Sequence, residues 1–173
     1  MGIPQTPWSS PAEWLEANQS LDYLIRLHGR DLKKARSLAQ KLATRLGAIF
    51  PLVEELCLVT CPFCPDPCCL VAKVYFDFSD LLFLHLTHQP IPQDQLRHNR
   101  QDICRFLGPK GCTLSRIVRP WACTRYMCPP QMGVLRKRDP GTQAFFNDSI
   151  LAIKVLRQDM ESEFICNTIL EMP

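Results

Sequence analysis

Cysteine placement constrains this chain more than any other feature of its sequence. Nine of the ten cysteines lie between residues 57 and 128, and four of them share the stretch Cys61–Cys69, CPFCPDPCC, with three prolines. The full spacing is Cys57-x3-Cys61-x2-Cys64-x3-Cys68-Cys69-x34-Cys104-x7-Cys112-x10-Cys123-x4-Cys128, with Cys166 apart. A chain of 173 residues can bury a core without covalent staples, so these thiols are not needed as crosslinks. No basic leader precedes an apolar run, and no stretch approaches eighteen uninterrupted apolar residues, so a cytoplasmic location without membrane insertion is expected. In a reducing compartment a dense cysteine pattern points to metal ligation or catalysis rather than to disulfides.

The ends of the chain read as helices. Ser10-Pro11-Ala12-Glu13 has the form of a capping box with proline in the first turn, placing a short helix from Pro11. From Leu21 to Phe50, Leu21, Leu24, Ile25, His28, Leu32, Ala35, Leu38, Leu42, Leu46 and Ile49 recur at steps of three and four, predicting a longer helix that Pro51 should end or kink. After the cysteine stretch, LVAKVYFDF alternates like a strand or extended segment, and Asp77 or Ser79 could cap a brief apolar helix through DLLFLHL. Residues 89 to 131 hold many turn formers and little periodicity, so something other than a packed face must hold them. Asp139-Pro140 then opens a last helix with the stripe Phe146, Ile150, Ile153, Leu156, Met160, Phe164 and Ile169. The expected fold is mainly α, a single domain over 1–173, with helical arms 11–56 and 139–172 around an irregular, cysteine-rich metal-binding core 57–131 with little β.

Thiolates are soft ligands that select zinc, copper(I) or iron–sulfur centres, and ligands from distant loops can clip an irregular region together. Cys166, on an amphipathic helix, reads instead as a small buried hydrophobe. Between Arg97 and Arg138 lie ten Lys and Arg residues and one acid, Asp102, although the net charge is only +3. A four-thiolate zinc or cubane centre carries about two negative charges, which nearby guanidinium groups such as Arg105, Arg119 and Arg125 would offset. Arg136-Lys137-Arg138 reads as a solvated turn, and nucleic-acid binding is disfavoured because no aromatic-interleaved basic motif is present.

Three local motifs fail in context. Cys57-x3-Cys61-x2-Cys64 resembles the cluster motif of radical S-adenosylmethionine enzymes, but a helical pattern precedes it and no βα series follows. The pair in CPFC resembles a glutaredoxin-type redox site, yet Pro65 and Pro67 block the helix such a pair opens. A zinc knuckle of the form Cys-Pro-x-Cys wants glycine where Pro65 stands.

The pattern as a whole does match something. CPFCPDPCC, the apolar stretch through KVYFDFSDLLFL, CRFLGPKGCTL and RPWACTRYMC resemble, in order, the YkgJ-type cysteine-cluster family of zinc- or iron-chelating proteins. The resemblance covers about residues 57 to 131. It implies the chelating set Cys61, Cys64, Cys68, Cys69, Cys104, Cys112, Cys123 and Cys128. Thr124 intervenes before Arg125, where the family usually has arginine directly after the cysteine.

Proline around Cys61, Cys64 and Cys68 fixes the backbone before metal arrives. The vicinal pair Cys68 and Cys69, if extended, diverges and gives at most one ligand per metal. Eight thiols divide as four plus four, or as one tetrathiolate site with spare ligands. Cys61, Cys64 and Cys128 each precede proline, as a cluster cysteine does in bacterial ferredoxins, which favours an iron–sulfur cluster, while closed zinc sites use the same ligands. His85 and His88, at i and i+3, could add a nitrogen ligand. The expected function is a metal-binding redox, sensing or structural module without catalytic residues; its protein partner is not legible. The alternative is a component of a protein lysine methylase related to flagellin lysine methylases, although the seven glycines include no glycine-rich strand–turn–helix for a methyl donor.

Overall fold

Two long amphipathic helices need a shared apolar surface, and here they find it in each other and in a short helix between them. The computed structural model describes residues 6–168 except 66, 100 and 110; the side chains of Phe63, Cys69 and Val71, and Ile169, lie outside that description. Along the chain come α1 (Pro11–Leu27), α2 (Lys33–Thr60), α3 (Cys68–Val71), α4 (Phe78–Leu86), the hairpin strands β1 (Leu107–Gly108) and β2 (Gly111–Cys112), α5 (Trp121–Arg125), α6 (Pro129–Leu135) and α7 (Pro140–Thr168). The fold is mainly α, with terminal helices around an irregular, cysteine-rich middle and little β.

The first helix starts as its sequence dictates. Glu13 N donates to Ser10 Oγ (3.2 Å), and Ser10 N donates to Glu13 Oε2 (3.0 Å), closing the capping box. The stripe from Leu21 to Phe50, however, is two helices rather than one. The chain turns between His28 and Leu32, while Leu21, Ile25, Leu32, Ala35, Leu42, Leu46 and Ile49 all stay buried. Apolar spacing reports which residues face the core and is blind to a change of axis. Nor does Pro51 end α2, which continues to Thr60. The proline ring is exposed, whereas Val53 and Leu56 in the next turns are buried. Burying those two side chains gains about 1.5–3 kcal/mol each, enough to offset the roughly 3 kcal/mol a mid-helix proline costs.

Helices α2 and α7 form the main pair and run antiparallel, since Lys34 meets Glu163 (2.7 Å) at one end and Arg138 pairs with Glu55 at the other. Asp139 caps α7, accepting from Thr142 N at 2.9 Å and Thr142 Oγ1 at 2.7 Å. The buried face of α7 is Phe146, Ser149, Ile153, Arg157, Met160, Phe164 and Thr168; Ile150 and Leu156 are only half-buried.

Helix α4 is the inner element. Nearly every side chain from Ser79 to Leu86 is buried, as befits a helix that is apolar all round and contacts α1, α2 and α7. Asp77 rather than Ser79 caps it, with Asp80 N donating to Asp77 Oδ1 at 2.8 Å. Arg157 of α7 reaches across, donating to Asp80 Oδ1 (2.6 Å) and to both Asp77 oxygens (2.7 and 2.8 Å). The segment before α4 is extended but pairs with no strand; the Gln95 side chain takes that place, accepting from Phe76 N (2.8 Å) and donating to Phe76 O (3.1 Å). Trp14 of α1 fixes the loop beyond α4, donating to Pro92 O at 3.0 Å and packing on Phe76. No described helix is long and apolar enough to cross a membrane.

Burial pushes the Asp80 carboxyl up to about 6 against the opposing pull of Arg157. Such a raised group stabilises the fold below its unfolded pKa, and that contribution is lost as pH rises through the folded value. Arg157→Leu should therefore cost roughly 3 kcal/mol at pH 7.5, by leaving a buried carboxylate unpaired. The loss should shrink at pH 5, where Asp80 takes up a proton. Urea melts of both proteins at the two pH values check this; equal losses at both would show that Asp80 does not titrate there.

Candidate metal centre

Because α2 runs on past Pro51, Cys57 and Cys61 fall one turn apart at its C-terminal end, on one face. Sequence reasoning counted Cys57 in the constellation but left it out of the chelating set. Two donors meet its sulfur: Arg116 Nη2 at 3.4 Å and Gln131 Nε2 at 3.3 Å. The same Gln131 nitrogen lies 3.9 Å from Cys61 Sγ, while its Oε1 accepts from Cys128 N at 3.1 Å. One buried amide thus links the end of α2 to the start of α6. Burial first, then the negative charge of Cys57 and of Cys68, push the Cys61 thiol up to about 11. Cys64 follows the turn Cys61–Phe63, its amide donating to Cys61 O at 3.2 Å.

Cys104, Cys112 and Cys123 form a second neighbourhood. Leu107 pairs with Cys112 across the hairpin, and Gly111 turns the chain between them at φ 104°, a left-handed conformation that glycine adopts without a side-chain clash. Leu107 N donates to Cys104 O at 3.1 Å. Burial leads in raising the pKa of the Cys104 thiol, while the nearby Phe106 and Leu107 backbone amides pull it the other way. Arg97, 2% exposed, pulls the same group down. Cys123 retains solvent-exposed surface as a residue, yet enough protein closes on its thiol that desolvation leads in pushing it up to about 12. Cys112, Cys104, Asp80 and Cys68 add to the rise. Cys68 is thus felt at both Cys61 and Cys123.

Asp80 connects this neighbourhood to the helical core. Its Oδ1, already held by Arg157, accepts from Trp121 N at 2.9 Å, and Trp121 begins the short helix that carries Cys123.

Several expectations change. Arg105 is turned to Asp94 (2.6 Å) and His98 (2.7 Å), Arg119 donates to Leu114 O, and Arg125 is exposed. Among the described residues the guanidinium that bonds a cysteine sulfur is that of Arg116, and Arg97, which donates to Asp102 O, acts on Cys104 through its charge; charge counting could single out neither. Arg138 is no simple solvated residue, because it pairs with Glu55. Cys166 is exposed rather than buried, since the inward stripe of α7 passes through Phe164 and Thr168. Cys68 opens a helical turn, so the premise of an extended vicinal pair does not hold, and the Cys69 side chain lies outside the described residues. His85 and His88 share no helix face: His85 hydrogen-bonds Asn18 Oδ1 at 2.9 Å within α4, and His88 lies past its end at φ 54°. Gln131 had a legible signal, as Cys128-Pro-Pro-Gln131 repeats the spacing of a capping box.

The described cysteines are all free thiols. Among the described residues no three His, Cys, Asp or Glu side chains close on one point as a finished metal cage. Fold and site together define a mainly helical protein with a shell of reduced cysteines at one side of its core. Comparison with protein-family models, curated proteins and solved structures finds no match for the chain.

In the metal-free chain, Cys61 and Cys123 should react with iodoacetamide at pH 7.5 at least about tenfold more slowly than a cysteine peptide, because few of their thiols are ionised. A mass-spectrometric time course resolves each site, and rates equal to the peptide's would contradict the burial just described.

Proposed function

We propose that this chain is a cysteine-cluster metal-binding protein, similar to the YkgJ-type chelators, that holds iron as an iron–sulfur cluster, or zinc, and serves as a non-catalytic redox, sensing or structural module. One observation carries the reading. Cys57, Cys61, Cys68, Cys104, Cys112, Cys123 and Cys128 come from six separate pieces of chain, yet they are linked through shared hydrogen bonds and mutual electrostatic influence. Soft, reduced thiols in one region fit zinc and iron–sulfur centres far better than hard cations. The donors at Cys57 fit too, because sulfur in such centres is usually hydrogen-bonded from outside. Cys61, Cys64, Cys68, Cys69, Cys104, Cys112, Cys123 and Cys128 would supply the ligands. Iron would bring electron transfer; zinc would close the region structurally.

Metal would also supply what the sequence lacks there. Among the described residues of 87–120 there are only a hairpin of two-residue strands and one short 3-10 turn, so ligation from distant positions would restrain that stretch. Anaerobically purified protein should therefore contain iron with matching sulfide, or stoichiometric zinc. A strong chelator should lower its Tm and open 57–128 to protease before α7 is cut. Metal-free protein with unchanged Tm and protease resistance would overturn the proposal.

A further inference from the structure

The end of α2 carries a thiol that neither the resemblance nor the spacing placed among the ligands. Cys57 is half-buried, lies one helical turn from Cys61, and its sulfur accepts from a guanidinium and a carboxamide at once. A cysteine that merely filled space would have no need of two polar donors, one of them charged. Those donors are themselves held in place. Arg116 Nε bonds Glu54 Oε1 at 3.4 Å on the same helix, and the Gln131 side chain, only 6% exposed, is oriented by the Cys128 amide at its other end. Together they present positive charge and N–H groups to a point that Cys61 also approaches.

From this geometry we infer that Cys57 is itself a metal ligand, sharing with Cys61 a soft-metal centre at the end of α2, and that Arg116 and Gln131 are positioning residues that steady its thiolate. The inference rests on the metal-binding reading and extends it by naming a ligand and its outer partners. Cys104, Cys112 and Cys123 then belong to the other side of the shell. An Arg–thiolate bond is charge-assisted and therefore stronger than an amide contact alone. Partners of this outer kind typically alter metal affinity about 10–100-fold.

The test uses the full chain, reduced and anaerobic, titrated with Co2+, whose thiolate charge-transfer band grows with the number of bound sulfurs, and separately reconstituted with iron and sulfide. Cys57→Ser should lose roughly a quarter of the band of one four-thiolate centre, or that metal equivalent altogether. Arg116→Gln should keep the stoichiometry and bind at least about tenfold more weakly. Cys166→Ser, at an exposed position, should titrate as wild type. A second measurement needs no variant: in the metal-loaded wild type, Cys57 should be protected from alkylation together with Cys61, while Cys166 reacts. If the wild type loads metal but Cys57 alkylates at the metal-free rate and Cys57→Ser leaves the band unchanged, the assignment of Cys57 is overturned and the general reading survives. If the wild type takes up neither Co2+ nor iron and sulfide, the general reading falls, and this inference with it.

Discussion

The contact on which the rest depends is Arg157 with Asp80 and Asp77. Both Arg157 and Asp80 are at least nine-tenths buried, and each is fully engaged: the guanidinium by three carboxylate oxygens, the Asp80 carboxylate by Arg157 and by the Trp121 and Asp77 amides. A buried ion pair adds little net stability over well-packed apolar residues, but breaking it is costly, so its value lies in specifying one arrangement. Here that arrangement fixes the start of α4 against α7 and, through Trp121, the start of α5. The helical core would exist without the pair. The relation of Cys123 to that core would not be fixed.

The cysteine shell shows the opposite balance. Burial first, and then their nearness to one another, makes Cys61 and Cys123 resist ionising, and among the described residues the thiols form no closed cage. Both features follow from neutral thiols in a poorly solvated place, since thiolates brought together without a cation would repel. On the proposed function, a metal reverses this by displacing the protons and drawing the sulfurs inward. Arg116 and Arg97 then offset part of the remaining negative charge. The helical core is fastened by a carboxylate and a guanidinium that already neutralise each other, whereas on the proposed function the cysteine side takes its counter-charge from a metal.

How much of this could be read from the sequence follows from which forces act locally. The Ser10 and Asp77 caps and the Asp139 start were legible because a cap involves residues three apart. The break at His28–Leu32 and the passage through Pro51 were not, because each is decided by packing across the core. Arg157 stands outside the apolar stripe predicted for the last helix, and only the partner helix reveals Asp80 as its partner. The same applies at the site. Cysteine count and spacing located the region, but Arg116 and Gln131 lie 59 and 74 positions from Cys57, and no local pattern could have brought them to its sulfur.

That difference bears on how such a site could change without losing its fold. The cysteines proposed as ligands sit on short turns and on the final turns of one helix, so their backbone is set by few local interactions, whereas the groups that would tune them come from elsewhere. Arg116 is on a 3-10 turn tied to Glu54, and Gln131 is in the first turn of α6. Substituting either acts first on the polar surroundings of Cys57 and, for Gln131, of Cys61 as well. The Arg157–Asp80 pair takes no part in those contacts. Folding determinants and the proposed chemistry thus meet at Trp121 and the α5 start, which makes this junction the place where a change in the core would be felt at the proposed metal site.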